Sequence, residues 1–140
     1  MSALDDAALI TAAERALGQA YARYSGFQVG AVVLTKAGGL FTGCNIENVS
    51  YPLGACAERN AIAAAVLAEG PGMRILRMTV AAKSRGAIQP CAPCGACRQV
   101  ILEFGPDAIV VFRGADLKFL EMSAPQLLPM AFTFAVERGS

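Results

Sequence analysis

Apolar residues recur at helical spacing from Leu4 to Tyr21 (Leu4, Ala7, Ala8, Ala12, Ala16, Leu17, Ala20), and the run meets Tyr24-Ser25-Gly26, which predicts a first helix. Two β-rich runs follow, Phe27 to Thr35 and Leu40 to Ile46, joined by Lys36-Ala37-Gly38-Gly39, and predict an antiparallel hairpin. After an irregular stretch from Asn48 to Gly54, the alanine-rich segment from Ala55 to Gly70 predicts a helix of about four turns, ended by Gly70-Pro71-Gly72. A third strand spans Arg74 to Lys83. Gln89 to Cys94 reads as a loop, Gly95 to Phe104 as a helix, Ala108 to Arg113 and Leu117 to Met122 as strands, and Ser123 to Pro129 as a short helix capped by Ser123. The third strand is reached through a helix, a connection that favours parallel pairing, so the sheet is expected to be mixed. The order α-β-β-α-β-α-β-β-α predicts an α/β fold, a three-layer α-β-α sandwich with a mixed five-stranded sheet.

The chain of 140 residues fits one domain, 1–140. Hydrophobic residues make up 55% and charged residues 16%, a surface short of charge that points to buried subunit contacts and a homo-oligomer. Net charge is +1 with no basic block, so no nucleic-acid partner is expected. The uncharged run from Met122 to Val136 is broken by Pro125 and Pro129 and falls short of the ~20 apolar residues of a membrane span. The start MSALDDAALI lacks a basic stretch and reads as a helix start rather than an export signal, making the cytoplasm the expected location.

Histidine is absent, which excludes Ser-His-Asp triads, Cys-His nucleophiles and HExxH zinc sites. Acid–base chemistry then falls to carboxylates, thiols or a metal-activated water. Five cysteines, Cys44, Cys56, Cys91, Cys94 and Cys97, are an odd number without an export signal and argue against a disulfide framework. Cys94 and Cys97 have the C-x₂-C spacing that brings two thiolates at a helix start to one ion, and Cys56 begins another helix. Three sulfurs would leave a fourth zinc position open. Glu58 shares that site only if it lies off the helix end. Three thiolates leave a Zn²⁺ site formally at −1, and two helix N-termini together with Arg59, three residues after Cys56, would offset that charge. Cys91 creates a second, overlapping PCxxC. Arg98, Gln99, Val100, Ile101 and Phe104 continue a helix from the second motif, whereas Pro93 interrupts the first, which favours Cys94 and Cys97.

The pattern matches zinc deaminases, in which a PCxxC pair and an acid close to the first ligand activate water against an amino-bearing ring carbon. The blocks YSGFQVGA (Tyr24 to Ala31), CNIEN (Cys44 to Asn48), CAERNAI (Cys56 to Ile62), PCGACRQV (Pro93 to Val100) and LLPMAF (Leu127 to Phe132) resemble the small, tetrameric, zinc-dependent cytidine deaminases. That resemblance implies hydrolytic deamination of cytidine and deoxycytidine to uridine and deoxyuridine plus ammonia, a pyrimidine salvage reaction. It implies one Zn²⁺ per subunit on Cys56, Cys94 and Cys97, with Glu58 shuttling protons for a zinc-activated water that attacks C4. Asn45 and Glu47 would hold ribose hydroxyls and Phe27 would pack on the pyrimidine. The N–H of Ala57 would face the base carbonyl and the carbonyl of Ala92 the leaving amine. Phe132 and Tyr51 would reach a neighbouring subunit's site. Ala92 replaces the Ser or Thr common in the family.

Each residue also has a plainer reading. The cysteines suit a closed four-cysteine zinc that includes Cys91, or buried thiols. Glu58 suits a first-turn acid favoured by the helix dipole, Arg59 an exposed helix cation, and Asn45 and Glu47 turn residues. Phe27 and Phe132 suit core positions, and Cys44 an inert buried thiol. A non-catalytic zinc or redox CxxC module is thus the rival class, and a blasticidin-S-type deaminase the rival within the enzymes.

Overall fold

The computed structural model describes residues 5–134. Helix α1 (Asp6–Leu17) begins where the Asp5 carboxylate accepts the Ala8 N–H at 2.9 Å, filling an amide the first turn leaves unpaired. The predicted start at Leu4 lies outside the described residues. The helix ends at Leu17 rather than Tyr21, because the Tyr21 backbone is bonded elsewhere: its N–H donates to Asn45 O at 3.0 Å and its carbonyl accepts from Glu47 N at 2.8 Å. A long-range bridge thereby overrides the helical period.

Strands β1 (Phe27–Thr35) and β2 (Leu40–Cys44) form the expected hairpin. β2 stops two residues short of Ile46, which leaves the β1 edge and exchanges both backbone hydrogen bonds with Ala55 at 3.0 Å. A 3₁₀ turn (Tyr51–Leu53) leads to α2 (Ala57–Glu69), then β3 (Ile75–Ser84) and β4 (Ala87–Ile88). α3 (Gly95–Phe104), β5 (Ile109–Arg113), β6 (Phe119–Ser123) and α4 (Ala124–Leu127) complete the described chain. A full capping box between Ser123 and Gln126 starts α4.

The sheet order is β2-β1-β3-β5-β6, with β3–β5 parallel and the other pairs antiparallel. The mixed sheet is therefore as expected, and β1 lies between the two strands that the α2 crossover connects. It has six strands rather than five, because β4 pairs with the end of β3 through a tight turn in which Arg85 and Gly86 both have positive φ (51° and 82°). Two-residue hairpins favour that conformation, and an Arg-Gly pair carries a weaker sequence signal for it than Asn-Gly.

Alternation along the strands divides the core into two layers. Val32, Leu34 and Ala81 meet Leu9, Ala13 and Leu17 of α1 on one face. Ala31, Val33, Met78, Val80 and Val110 meet Ala61, Ile62 and Ala65 of α2, Ile101 of α3 and Leu127 of α4 on the other. Truncating a fully buried side chain such as Met78 to alanine would cost about 2–5 kcal/mol. Two glycines set the spacing between layers. A Cβ at Gly30 would lie 2.0 Å from the Ala13 carbonyl oxygen, and one at Gly43 would lie 2.4 Å from the Ala61 nitrogen. The close approach at Gly43 holds the end of β2, and the CNIEN segment beyond it, against the N-terminal half of α2. Among the described residues no helix is long and apolar enough to cross a membrane.

Candidate active site

Two helix starts converge on one point. Cys56 is the N-cap of α2 and Cys94 the N-cap of α3; both have extended backbone, and neither side chain makes a capping hydrogen bond, so both sulfurs remain available. Cys97, in the first turn of α3, is fully buried and completes the group. The three Sγ atoms lie within 4.8 Å of one another, and among the described residues they are the one group of histidine, cysteine or acidic side chains placed to hold a metal ion. The Cys56 and Cys94 sulfurs are 3.8 Å apart. That separation is far too long for a disulfide and equals the spacing of about 3.8 Å expected when two thiolates each bind a tetrahedral Zn²⁺ at about 2.3 Å. The donor set therefore fits zinc.

Arg59 Nη2 donates to the Cys56 sulfur at 3.3 Å, while its Nε is buried without a hydrogen-bond partner. A hydrogen bond from Cys97, assisted by Arg59, draws the Cys56 thiol down to about 5. Cys97 is pushed upward in turn, first by that hydrogen bond to Cys56 and then by burial. The sulfurs of Cys56 and Cys97 hold Arg59 firmly protonated. Negative charge thus concentrates on the sulfurs, where two helix N-termini and a guanidinium meet it.

A cavity of ≈ 340 Å³ opens over this group, and Glu58, Ala57, Ala92, Asn45, Glu47 and Tyr51 are among its lining residues. Glu58 is only 3% exposed, and burial raises its carboxyl to about 7, with the Cys56 charge adding to the effect and Arg59 opposing it. Ala57 is the first residue of α2, so its N–H belongs to the donors that a helix leaves unpaired. Asn60 Nδ2 donates to the Cys44 carbonyl at 2.8 Å and ties α2 to β2.

The segment beyond β2 is knitted to the start of β1. Asn45 Oδ1 accepts from Val29 N at 2.8 Å, and its Nδ2 donates to Phe27 O at 2.9 Å. Glu47 Oε1 accepts the N–H groups of Tyr24 (3.0 Å) and Ser25 (3.2 Å), and Oε2 accepts the Ser25 hydroxyl. The Ser25 hydroxyl bond, followed by these backbone bonds, holds the Glu47 carboxyl below its usual range. Tyr51, exposed at the cavity mouth, stands edge-on to Tyr24 with ring centroids 6.1 Å apart.

Other expected residues stand apart. Phe27 packs against the main core cluster and is not among the lining residues. Phe132 lies away from this cavity, against α3: its carbonyl accepts from Gln99 Nε2 at 3.3 Å, and its ring, 69% exposed, meets Phe134 edge-on. Cys91 lines the cavity but is outside the sulfur trio; its N–H is bonded to Arg113 O at 3.2 Å, and burial raises its thiol to about 12. Sequence reasoning missed two residues. Ser25 drew notice only as part of a matching block, and Arg98 only as a helix continuation. Arg98 donates to the carbonyls of Pro93 (2.7 Å) and Leu127 (3.0 Å), fastening the PCGAC loop to α4.

Comparison with known proteins agrees with this geometry. Residues 4–113 match the model of the cytidine and deoxycytidylate deaminase zinc-binding region. The cytidine deaminase of Sporosarcina psychrophila is 41% identical over 133 residues, 93% of each chain. The crystal structure of cytidine deaminase from Burkholderia pseudomallei superposes with a TM-score of 0.82 at 44% identity, covering 92% of this chain and all of the other. The structure of the Mycobacterium tuberculosis enzyme gives 0.79 at 36% identity, covering 94% and 99%. A family match over most of the sequence, and the same fold at over 40% identity, place this chain in the cytidine and deoxycytidylate deaminase family.

Proposed function

We propose that this chain, as a single catalytic domain, is a zinc-dependent cytidine deaminase that converts cytidine and deoxycytidine with water to uridine and deoxyuridine plus ammonia. The observation that carries the reading is the convergence of three cysteine sulfurs beneath a cavity that also holds a buried carboxyl group. A closed structural zinc site would need no acid there.

In this reading Cys56, Cys94 and Cys97 would hold one zinc ion, which would supply the Lewis acidity that lets a neighbouring base take a proton from water. Glu58 is that base. Its carboxyl, raised by burial above the usual carboxylate range, accepts the proton and returns it to the substrate as the amine departs. The Ala57 N–H positions the base carbonyl and the Ala92 carbonyl the amine. Asn45 and Glu47 hold the ribose hydroxyls, Phe27 supports the pyrimidine, and Arg59 tunes charge at the sulfurs.

The finer roles extend to context. The protein acts in pyrimidine salvage in the cytoplasm, as a homotetramer in which Tyr51 and Phe132 complete a neighbour's site. The exposure of Val49, Tyr51, Leu53 and Leu67 supports subunit contact. Zinc content measured together with ammonia release from cytidine tests the function. Protein purified without chelator that carries no zinc, or zinc-loaded protein that releases no ammonia, would overturn it.

A further inference from the structure

We propose that Ser25 is a positioning residue for nucleoside binding: its hydroxyl, held between the Phe27 backbone amide and the Glu47 carboxylate, fixes the carboxylate assigned to the ribose. The inference rests on the functional reading above and extends it to a residue outside the metal centre.

The hydroxyl works in both directions. It accepts the Phe27 N–H at 3.0 Å and donates its own proton to Glu47 Oε2. One rotor therefore links the backbone at the start of β1 to the free oxygen of the carboxylate. A carboxylate has about four lone-pair sites. On Glu47 the Tyr24 and Ser25 amides occupy Oε1, and the Ser25 hydroxyl takes one site on Oε2. What remains for a ribose hydroxyl is the other side of Oε2, on a residue that lines the cavity.

Without the Ser25 hydroxyl, Oε2 has two open sites and the carboxylate is free to pivot about its Oε1 bonds. Asn45 holds Phe27 from the other side, through the Phe27 carbonyl. Loss of Ser25 should therefore loosen the contact to the ribose more than it disturbs the strand. The metal centre belongs to other elements, the starts of α2 and α3, and should be unaffected.

The test compares wild type with Ser25→Ala and Ser25→Thr, using cytidine and 2′,3′-dideoxycytidine. Loss of a hydrogen bond to a charged group predicts a rise of about tenfold or more in KM for cytidine in Ser25→Ala, with kcat within about threefold and zinc content unchanged. Ser25→Thr, which keeps the hydroxyl, should restore most of the affinity. The penalty should shrink to within about twofold on 2′,3′-dideoxycytidine, which presents no 2′- or 3′-hydroxyl to Glu47. If Ser25→Ala fails to fold, Ser25→Cys, close in size but a weak donor, carries the same comparison. An unmoved KM for cytidine, or an equal penalty on both substrates, overturns the proposal while leaving the deaminase reading intact. Wild-type protein inactive on cytidine overturns both.

Discussion

The guanidinium of Arg59 reaches back from the third residue of α2 to the sulfur of its N-cap, Cys56, at 3.3 Å. In α3 the same third position is Cys97, behind the N-cap Cys94. Two helix starts with identical spacing thus meet, one presenting a cation and the other a third sulfur. Arg59 sets the charge around the trio without offering a ligand atom. Arg59→Ala should therefore lower zinc affinity by about 10–100-fold and reduce turnover without abolishing it, as loss of groups supporting metal ligands usually does. Arg59→Lys should recover part of the loss, since it keeps the charge but not the planar fork. Competition with a chelator measures this, and wild-type zinc retention in the alanine variant would make Arg59 an ordinary helix cation.

Glu58→Gln preserves shape in a site that is 3% exposed, so fold and zinc content should survive. An amide cannot accept the proton, and kcat should fall by about 10²–10⁴. Turnover within about tenfold of wild type would remove Glu58 from the role of proton carrier.

Glu47 supplies the pH dependence. Its folded-state pKa is depressed, first by the Ser25 hydroxyl and then by the Tyr24 and Ser25 amides, against the opposing effect of desolvation. The carboxylate's contribution to stability is thus complete above the unfolded value, about 4.3, and disappears only as pH falls through the lower folded one. The part of cytidine binding that depends on Glu47, read as the ratio of KM between Glu47→Gln and wild type, should accordingly stay level from neutrality down to about pH 4.3, whereas Glu58 titrates within that range. A Glu47→Gln to wild-type KM ratio that already shrinks between about pH 6 and 5 would show that Glu47 is not held as the structure describes.

How much of this was legible from sequence depended on the range of the interaction. The α2 helix showed in its alanines and its Gly70-Pro71-Gly72 end, and the pairing of Cys94 with Cys97 showed in their short spacing at a helix start, whereas the choice of Cys56 as their partner leaned on the family resemblance. The end of α1 did not show, since residues Asn45 and Glu47, far along the chain, claim the Tyr21 backbone. β4 did not show either, because Arg85 adopts a positive φ that its side chain does not advertise. The bonds joining Ser25 to Glu47 and Arg98 to Leu127 exist only once strands and helices are packed, so no local pattern announces them.

Cys91 is the strongest test of the ligand set, because it lines the same cavity as Cys94 yet sits outside the trio. Its backbone is tied to Arg113, at the end of β5, which holds it on the sheet side of the loop. Cys91→Ser should keep close to one zinc per chain and near wild-type turnover. Cys97→Ser should lose zinc, and because Cys97 is fully buried, stability should fall as well. Zinc-to-protein ratios decide between them: loss of metal in Cys91→Ser would move the pair to Cys91 and Cys94.

The last expectation concerns Phe132, which has an exposed ring and is not among the residues lining the cavity over the cysteines. A large aromatic costs free energy when left in water, and burial in a neighbouring subunit recovers about 25 cal/mol for each Å² covered. With 55% hydrophobic and 16% charged residues, association should be driven by apolar area, so assembly should persist at assay concentrations and respond little to salt. Phe132→Ala should leave zinc in place, because Phe132 lines a different cleft from the one that Cys56 and Cys94 line. If the proposed shared site holds, it should raise KM for cytidine more than it lowers kcat, because a wall at the substrate pocket acts on binding rather than on proton transfer. Sedimentation or light scattering that found fully active enzyme at the mass of one subunit would defeat the shared-site role of Phe132, and the cysteines and Glu58 would keep theirs.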